Sequence, residues 1–109
     1  MSIGTNDLVQ YTMAADRLAG GLAALTDPWQ PAVLHLMAHT ARAGADAGKP
    51  VGVCGEAAAD PLLATVLVGL GVSSLSMALS AVGSVGASLA GATMAACRAA
   101  AEAALRAPD

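Results

Sequence analysis

The chain has 109 residues, of which 56% are hydrophobic and only 12% charged, and its formal net charge is −3. That balance excludes an intrinsically disordered chain and leaves room for one domain, while its five scattered bases, Arg17, Arg42, Lys49, Arg98 and Arg106, exclude a surface that tracks a phosphate backbone, so no nucleic-acid partner is expected. With no Phe, one Trp and one Tyr, the core must rest on Leu, Val, Met and Ala. Small side chains bury little area each, which predicts marginal stability or a fold completed by another chain or domain.

Ser2 and Ile3 read as a strand stub running into Gly4-Thr5-Asn6-Asp7, a cluster of turn and capping residues. A short helix over Leu8 to Met13 follows, with Asn6 or Asp7 as its expected N-cap. Gly20-Gly21 loosens the next connection, and Asp27-Pro28 marks a turn or helix entry. Pro31 suits the first turn of a helix whose apolar positions Val33, Leu34, Met37, Ala38 and Ala41 recur at helical spacing, and which should stop near Gly48. Val51-Gly52-Val53 then reads as a buried strand and residues 55–60 as a polar loop. Pro61 opens a helix through Val68, ended by Gly69 and Gly71. Ser74 to Met77 is the third strand, and the chain closes in two helical pieces, the first weakened by Gly83, Gly86 and Gly91, the second running from Met94 to Leu105 behind Thr93 as a cap. Strands alternating with helices predict an α/β fold with a parallel sheet.

In such folds ligands collect at the carboxyl ends of the strands. Asn6-Asp7 follows the first strand and Cys54-Gly55-Glu56 the second, so both clusters are expected on one rim. Asp7 has two readings, a helix cap or a carboxylate ligand for Mg²⁺, which favours a few carboxylate oxygens plus phosphate and water. Asn6 is a turn residue or an amide donor to an anionic oxygen. Arg17, the only Lys or Arg among the first forty residues, pairs with a nearby acid such as Asp16 or forks onto a phosphate or carboxylate. Cys54, beside Gly55, is an inert thiol or one that serves as nucleophile or acid, whereas Cys97 in an Ala-rich helix reads as core. His35 and His39 share a helix face, but no third ligand completes a metal site with them.

No charge occurs between Asp60 and Arg98, yet Gly69, Gly71, Ser73, Ser74, Ser76 and Ser80 break that run below the length of a membrane span, so no membrane is expected. The start "MSIGTNDL" has neither a basic nor an apolar signal region, and two cysteines without CxxC spacing fit a reducing cytoplasm.

Three stretches, "SIGTNDLVQYTMAADR" (Ser2 to Arg17), "DPWQPAVL" (Asp27 to Leu34) and "KPVGVCGEAAADP" (Lys49 to Pro61), together resemble enzyme I of the bacterial phosphoenolpyruvate-dependent sugar phosphotransferase system. The likeness continues weakly through "GLGVSSLSMALSAV" (Gly69 to Val82). Gln10-Tyr11-Thr12 and Ala15-Asp16-Arg17 favour enzyme I over the related pyruvate phosphate dikinase and phosphoenolpyruvate synthase. The resemblance implies that residues 1–109 are the last part of a phosphoenolpyruvate-binding (β/α)8 TIM barrel, about three β/α units with a helical C-terminus. It further implies that Asp7 is a ligand to Mg²⁺, that Asn6 and Arg17 contact the phosphoryl group, and that Cys54 is the acid that protonates the enolate as pyruvate forms. The implied partners are phosphoenolpyruvate, the remaining domains of enzyme I, the small phosphocarrier protein and a second copy in a homodimer. The family's prolines and basic residue are replaced here by Leu79, Gly83 and Gly86, so the last helices are expected to be less rigid. The phosphorylatable histidine and the first five barrel strands have no counterpart in this sequence, and the chain alone is not expected to turn over. The alternative is a self-associating structural module whose open sheet edges pair.

Overall fold

The computed structural model describes residues 1–13 and 29–107. Its elements are β1 (Ser2–Gly4), α1 (Thr5–Thr12), α2 (Pro31–Asp46), β2 (Gly52–Cys54), a 3₁₀ turn (Glu56–Ala59), α3 (Pro61–Leu70), β3 (Ser74–Ser76), α4 (Leu79–Ala90) and α5 (Met94–Arg106). The readings placed on Arg17, Gly20-Gly21 and Asp27-Pro28 lie outside the described residues.

The three strands form one sheet in the order β1-β2-β3, with both pairs parallel. Ile3, Val53 and Leu75 stand side by side across it. Successive residues of a strand point to opposite faces. These three therefore face the helices, and Ser2, Gly4, Gly52, Cys54, Ser74 and Ser76 face the other way. Burial follows the alternation: Ile3 and Val53 are core residues and Leu75 packs against the core, while the opposite face is exposed or half-buried.

At the amino ends of the strands the Ser73 hydroxyl bonds both to the Val51 carbonyl and to the Val51 N–H, at 3.0 and 3.1 Å, and the Gly52 N–H donates to the Met1 carbonyl at 2.9 Å. The ladder therefore begins at Gly52, one residue later than the expected Val51, and Cys54 belongs to β2.

The core is aliphatic. Val33, Leu34 and Met37 of α2 meet Leu63 and Leu67 of α3 beneath the sheet. Leu63 and Leu67 are fully buried, and each contributes about 1.5–3 kcal/mol on the usual transfer scale. Asp60 caps α3 through Oδ1, which accepts from the N–H groups of Leu62 and Leu63 at 3.0 and 3.3 Å, and its Oδ2 accepts from the Trp29 indole N–H at 3.3 Å. One carboxylate thus joins the entry of α2 to the start of α3.

Residues 56–59, expected as a polar loop, instead form a 3₁₀ turn that sends Ala57 and Ala58 into the core. Methyl groups are small enough to fill the space under the strand ends, so composition rather than polarity decides this segment. In α4 the expected weakening by Gly83 and Gly86 leaves the helix unbroken; Val85 anchors it, and the Ser88 hydroxyl donates to the Pro61 carbonyl at 3.1 Å. Thr93 caps α5 as expected, its Oγ1 accepting from the Ala96 N–H at 3.1 Å. The uncharged run divides among α3, β3, α4 and the start of α5, and among the described residues no single helix is long and apolar enough to cross a membrane; α4 and α5, which qualify only together, are bent at 106°.

α3 packs closely on α5 where Gly69 meets Cys97. A Cβ on Gly69 would overlap the Cys97 carbonyl and crowd the Arg98 amide, so a side chain there forces the helices apart. Gly69→Ala is expected to lower stability by about 1–3 kcal/mol, the usual cost of overpacking, measured as a shift of the urea midpoint with the slope unchanged.

Candidate functional site

The last rung of the sheet sets Gly4, Cys54 and Ser76 level with one another, and each strand then releases its chain at the same edge. Asn6 and Asp7, which follow β1, were expected to cap α1. The structure places Gly4 at the cap position with no side-chain cap bond, and both residues sit inside the first helical turn. The reason is a competing partner across the rim. Asn6 Oδ1 accepts from the Glu56 N–H at 3.4 Å, so it is unavailable to its own helix. That bond also orients the amide: with Oδ1 turned to Glu56, the NH₂ group faces away and has no partner among the described residues.

Thr5, one residue earlier, is 1% exposed and is the buried polar side chain of this edge. Its hydroxyl donates to the Cys54 carbonyl at 3.0 Å. Gly55 then turns the chain with φ +111°, and a Cβ there would stand 2.6 Å from Thr5 Oγ1. Backbone conformation and space both demand glycine at this step.

Cys54 is half-buried and its thiol is free. The Sγ–H donates to the Ile3 carbonyl at 3.6 Å, and the Ser2 hydroxyl lies 4.0 Å from Sγ, so the side chain leans over β1 on the face opposite the core. Cys97 is buried against α3 as the sequence suggested. Asp7 is exposed, and its carboxylate has no hydrogen-bond or ion-pair partner among the described residues.

An open cavity of about 400 Å³ occupies the rim between the ends of the strands. Asn6, Gly55, Glu56, Ser76 and Met77 line it. The edge therefore carries the Asn6 amide, followed in α1 by the exposed Asp7, and, on the adjoining sheet face, the Cys54 thiol. A second groove, between β3 and α4, is lined by Val68, Leu75, Val82, Val85 and Leu89 and carries no titratable group.

Of the residues singled out from sequence, the structure brings Asn6, Asp7 and Cys54 to one edge, and Arg17 lies outside the described residues. His35 belongs elsewhere: its Nε2 is 3.1 Å from the Leu105 carbonyl at the end of α5. Sequence reasoning missed Ser2 and Thr5. Ser2 had been read only as strand and Thr5 only as turn, and the partners of both lie about fifty residues away, where no local pattern reaches.

The family described as PEP-utilising enzyme, PEP-binding domain matches residues 1–94. The phosphoenolpyruvate-protein phosphotransferase of Streptomyces coelicolor is 60% identical over all 109 residues, which make up 19% of that relative's length. The proteins of the same name from Cupriavidus necator and Bacillus subtilis are 53% and 46% identical over 77 and 81 residues, or 71% and 74% of this chain and 13% and 14% of theirs. The chain thus spans about a fifth or less of the curated relatives it matches. With the family matched across both strand-end clusters, the chain belongs to the PEP-utilising enzymes, within their PEP-binding domain.

Proposed function

We propose that this chain is the phosphoenolpyruvate-binding end of a phosphoenolpyruvate-protein phosphotransferase, forming about three β/α units of a (β/α)8 barrel. The observation that carries the reading is the rung pairing Gly4 with Cys54, which brings Asn6, Asp7 and Cys54 to one edge. The names of the relatives supply the substrate and reaction class.

On this reading the NH₂ group of Asn6 donates to a phosphoryl oxygen and the guanidinium of Arg17 neutralises another. The Asp7 carboxylate fits Mg²⁺ as one ligand: it is exposed, without a partner among the described residues and a hard oxygen donor, and this ion is commonly held by one or two carboxylates plus substrate phosphate and water. Among the described residues no group of three or more His, Cys, Asp or Glu is placed to hold a metal, so the other ligands come from substrate, water or the rest of the enzyme. When bound, Mg²⁺ supplies positive charge against the phosphoryl oxygens.

Cys54 acts after the O–P bond breaks. Its S–H bond gives the proton to the methylene carbon of the enolate, a new C–H bond completes pyruvate, and the thiolate regains its proton from water. Ser2 and the Ile3 carbonyl hold the thiol on the substrate face until then. The phosphoryl group passes to a histidine of another domain and on to the small phosphocarrier protein, in a cytoplasmic homodimer. The chain alone does not turn over. A second reading, a self-associating module, is favoured by the outer edges of β1 and β3, which have no strand neighbour among the described residues, and by Leu79, which is 88% exposed. Sedimentation of the isolated chain separates the two, a monomer at tens of micromolar removing the module.

Titration calorimetry with Mg²⁺ and phosphoenolpyruvate is expected to give weak or no heat of binding to the isolated chain; micromolar binding that survives Asp7→Ala overturns the site. In the full-length enzyme, Cys54→Ala is expected to slow pyruvate formation by about 100- to 10,000-fold, the weight of a general acid, with the melting temperature nearly unchanged. An unchanged rate returns Cys54 to a structural role.

A further inference from the structure

The backbone ladder between β1 and β2 stops at Gly4 and Cys54, but the pairing of the two chains does not. Thr5 Oγ1 donates to the Cys54 carbonyl at 3.0 Å, and Asn6 Oδ1 accepts from the Glu56 N–H at 3.4 Å. Consecutive side chains thus add two further crossings where main-chain bonds have ended. The Thr5 hydroxyl is the inner of the two and is shielded from water, being 1% exposed, so no solvent molecule replaces it when it is lost. Gly55 makes room for it, since a Cβ at that position would meet Oγ1 at 2.6 Å.

We propose that Thr5 is a positioning residue for the rim, its hydroxyl fixing the Cys54 peptide and so the direction of the Cys54 thiol. The inference deepens the proposed function, in which that thiol delivers a proton, but its mechanics are independent of any ligand. The Cys54 carbonyl is covalently one step from the Cα that carries the thiol, and the peptide after it leads directly into Gly55, the most permissive joint of the rim. Held by Thr5, the thiol stays over β1 with its hydrogen on the Ile3 carbonyl. Released, the Cys54–Gly55 peptide rotates and the thiol leaves that contact. Thr5 does not line the rim cavity and its hydroxyl bonds to the Cys54 carbonyl rather than to the thiol, so it acts through the backbone of Cys54.

The test is the iodoacetamide alkylation rate of Cys54 in the 109-residue chain, with the buried Cys97 as internal reference. Thr5→Val keeps the shape and removes the hydroxyl, and is expected to speed Cys54 alkylation about three- to tenfold, the weight of one neutral hydrogen bond, with Cys97 unchanged. Thr5→Ser is expected to restore the original rate. A Thr5→Val rate equal to the original, or a parallel rise at Cys54 and Cys97 that reports general loosening, overturns the proposal. Should Thr5→Val fail to fold, proton exchange in the unsubstituted chain decides: a protected Thr5 hydroxyl proton supports the pin, and exchange as fast as that of a free hydroxyl overturns it. No phosphoenolpyruvate or Mg²⁺ enters these measurements, so their outcome stands apart from that of the calorimetry.

Discussion

Three residues per strand is little from which to build a sheet, and the level register of those strands is the constraint on which the rest of the molecule depends. Ile3, Val53 and Leu75 lie abreast, so a single row of apolar side chains faces the helices. Were any strand to slip by one residue, its apolar residue would pass to the opposite face and a Ser, Gly or Cys would enter the core. Burial of that one row therefore selects the register. The register in turn sets the strand ends level, and the level ends bring a segment near residue 6 beside one near residue 56. Chemistry at the rim is thus a consequence of packing one layer beneath it.

The helices were legible because their signals are local. Pro31 and Pro61 open α2 and α3, and Thr93 caps α5, each by a bond or dihedral constraint within a few residues. The strand-end clusters were legible as well, since polar residues following short apolar runs are rare in so apolar a chain. Among features decided at long range, the parallel sheet was expected and found, whereas several side-chain placements were not. Asn6 resembles a helix cap until Glu56, fifty residues on, offers a better placed N–H. Ala57 and Ala58 look like loop residues until the core has a space of their size. Gly83 and Gly86 weaken a helix by propensity, yet the expected helix is present over Leu79–Ala90, with Ser88 tied to Pro61. The role of Thr5 is likewise written in a carbonyl 49 residues away. The resemblance to enzyme I added names for the residues, but their placement rests on these contacts.

The face of the sheet opposite the core carries only Ser, Gly and Cys: Ser2, Gly4, Gly52, Cys54, Ser74 and Ser76. Such side chains cannot by themselves fill a hydrophobic layer. On the proposed barrel reading they line its interior, where small residues leave space beneath the rim and keep the Cys54 thiol within reach of Ser2.

The carboxylate of Asp60 gives the molecule one further property. It caps α3 with one oxygen and holds the indole of Trp29 with the other, and Trp29 is the only tryptophan in the chain. The indole fluorescence of the protein, separable from that of Tyr11 by excitation at the red edge, therefore has a single source at the junction of α2 and α3 beside the Asp60 carboxylate. Emission reports on whether those two helices are docked and needs no added label, leaving the Cys54 thiol for chemical labels of its own.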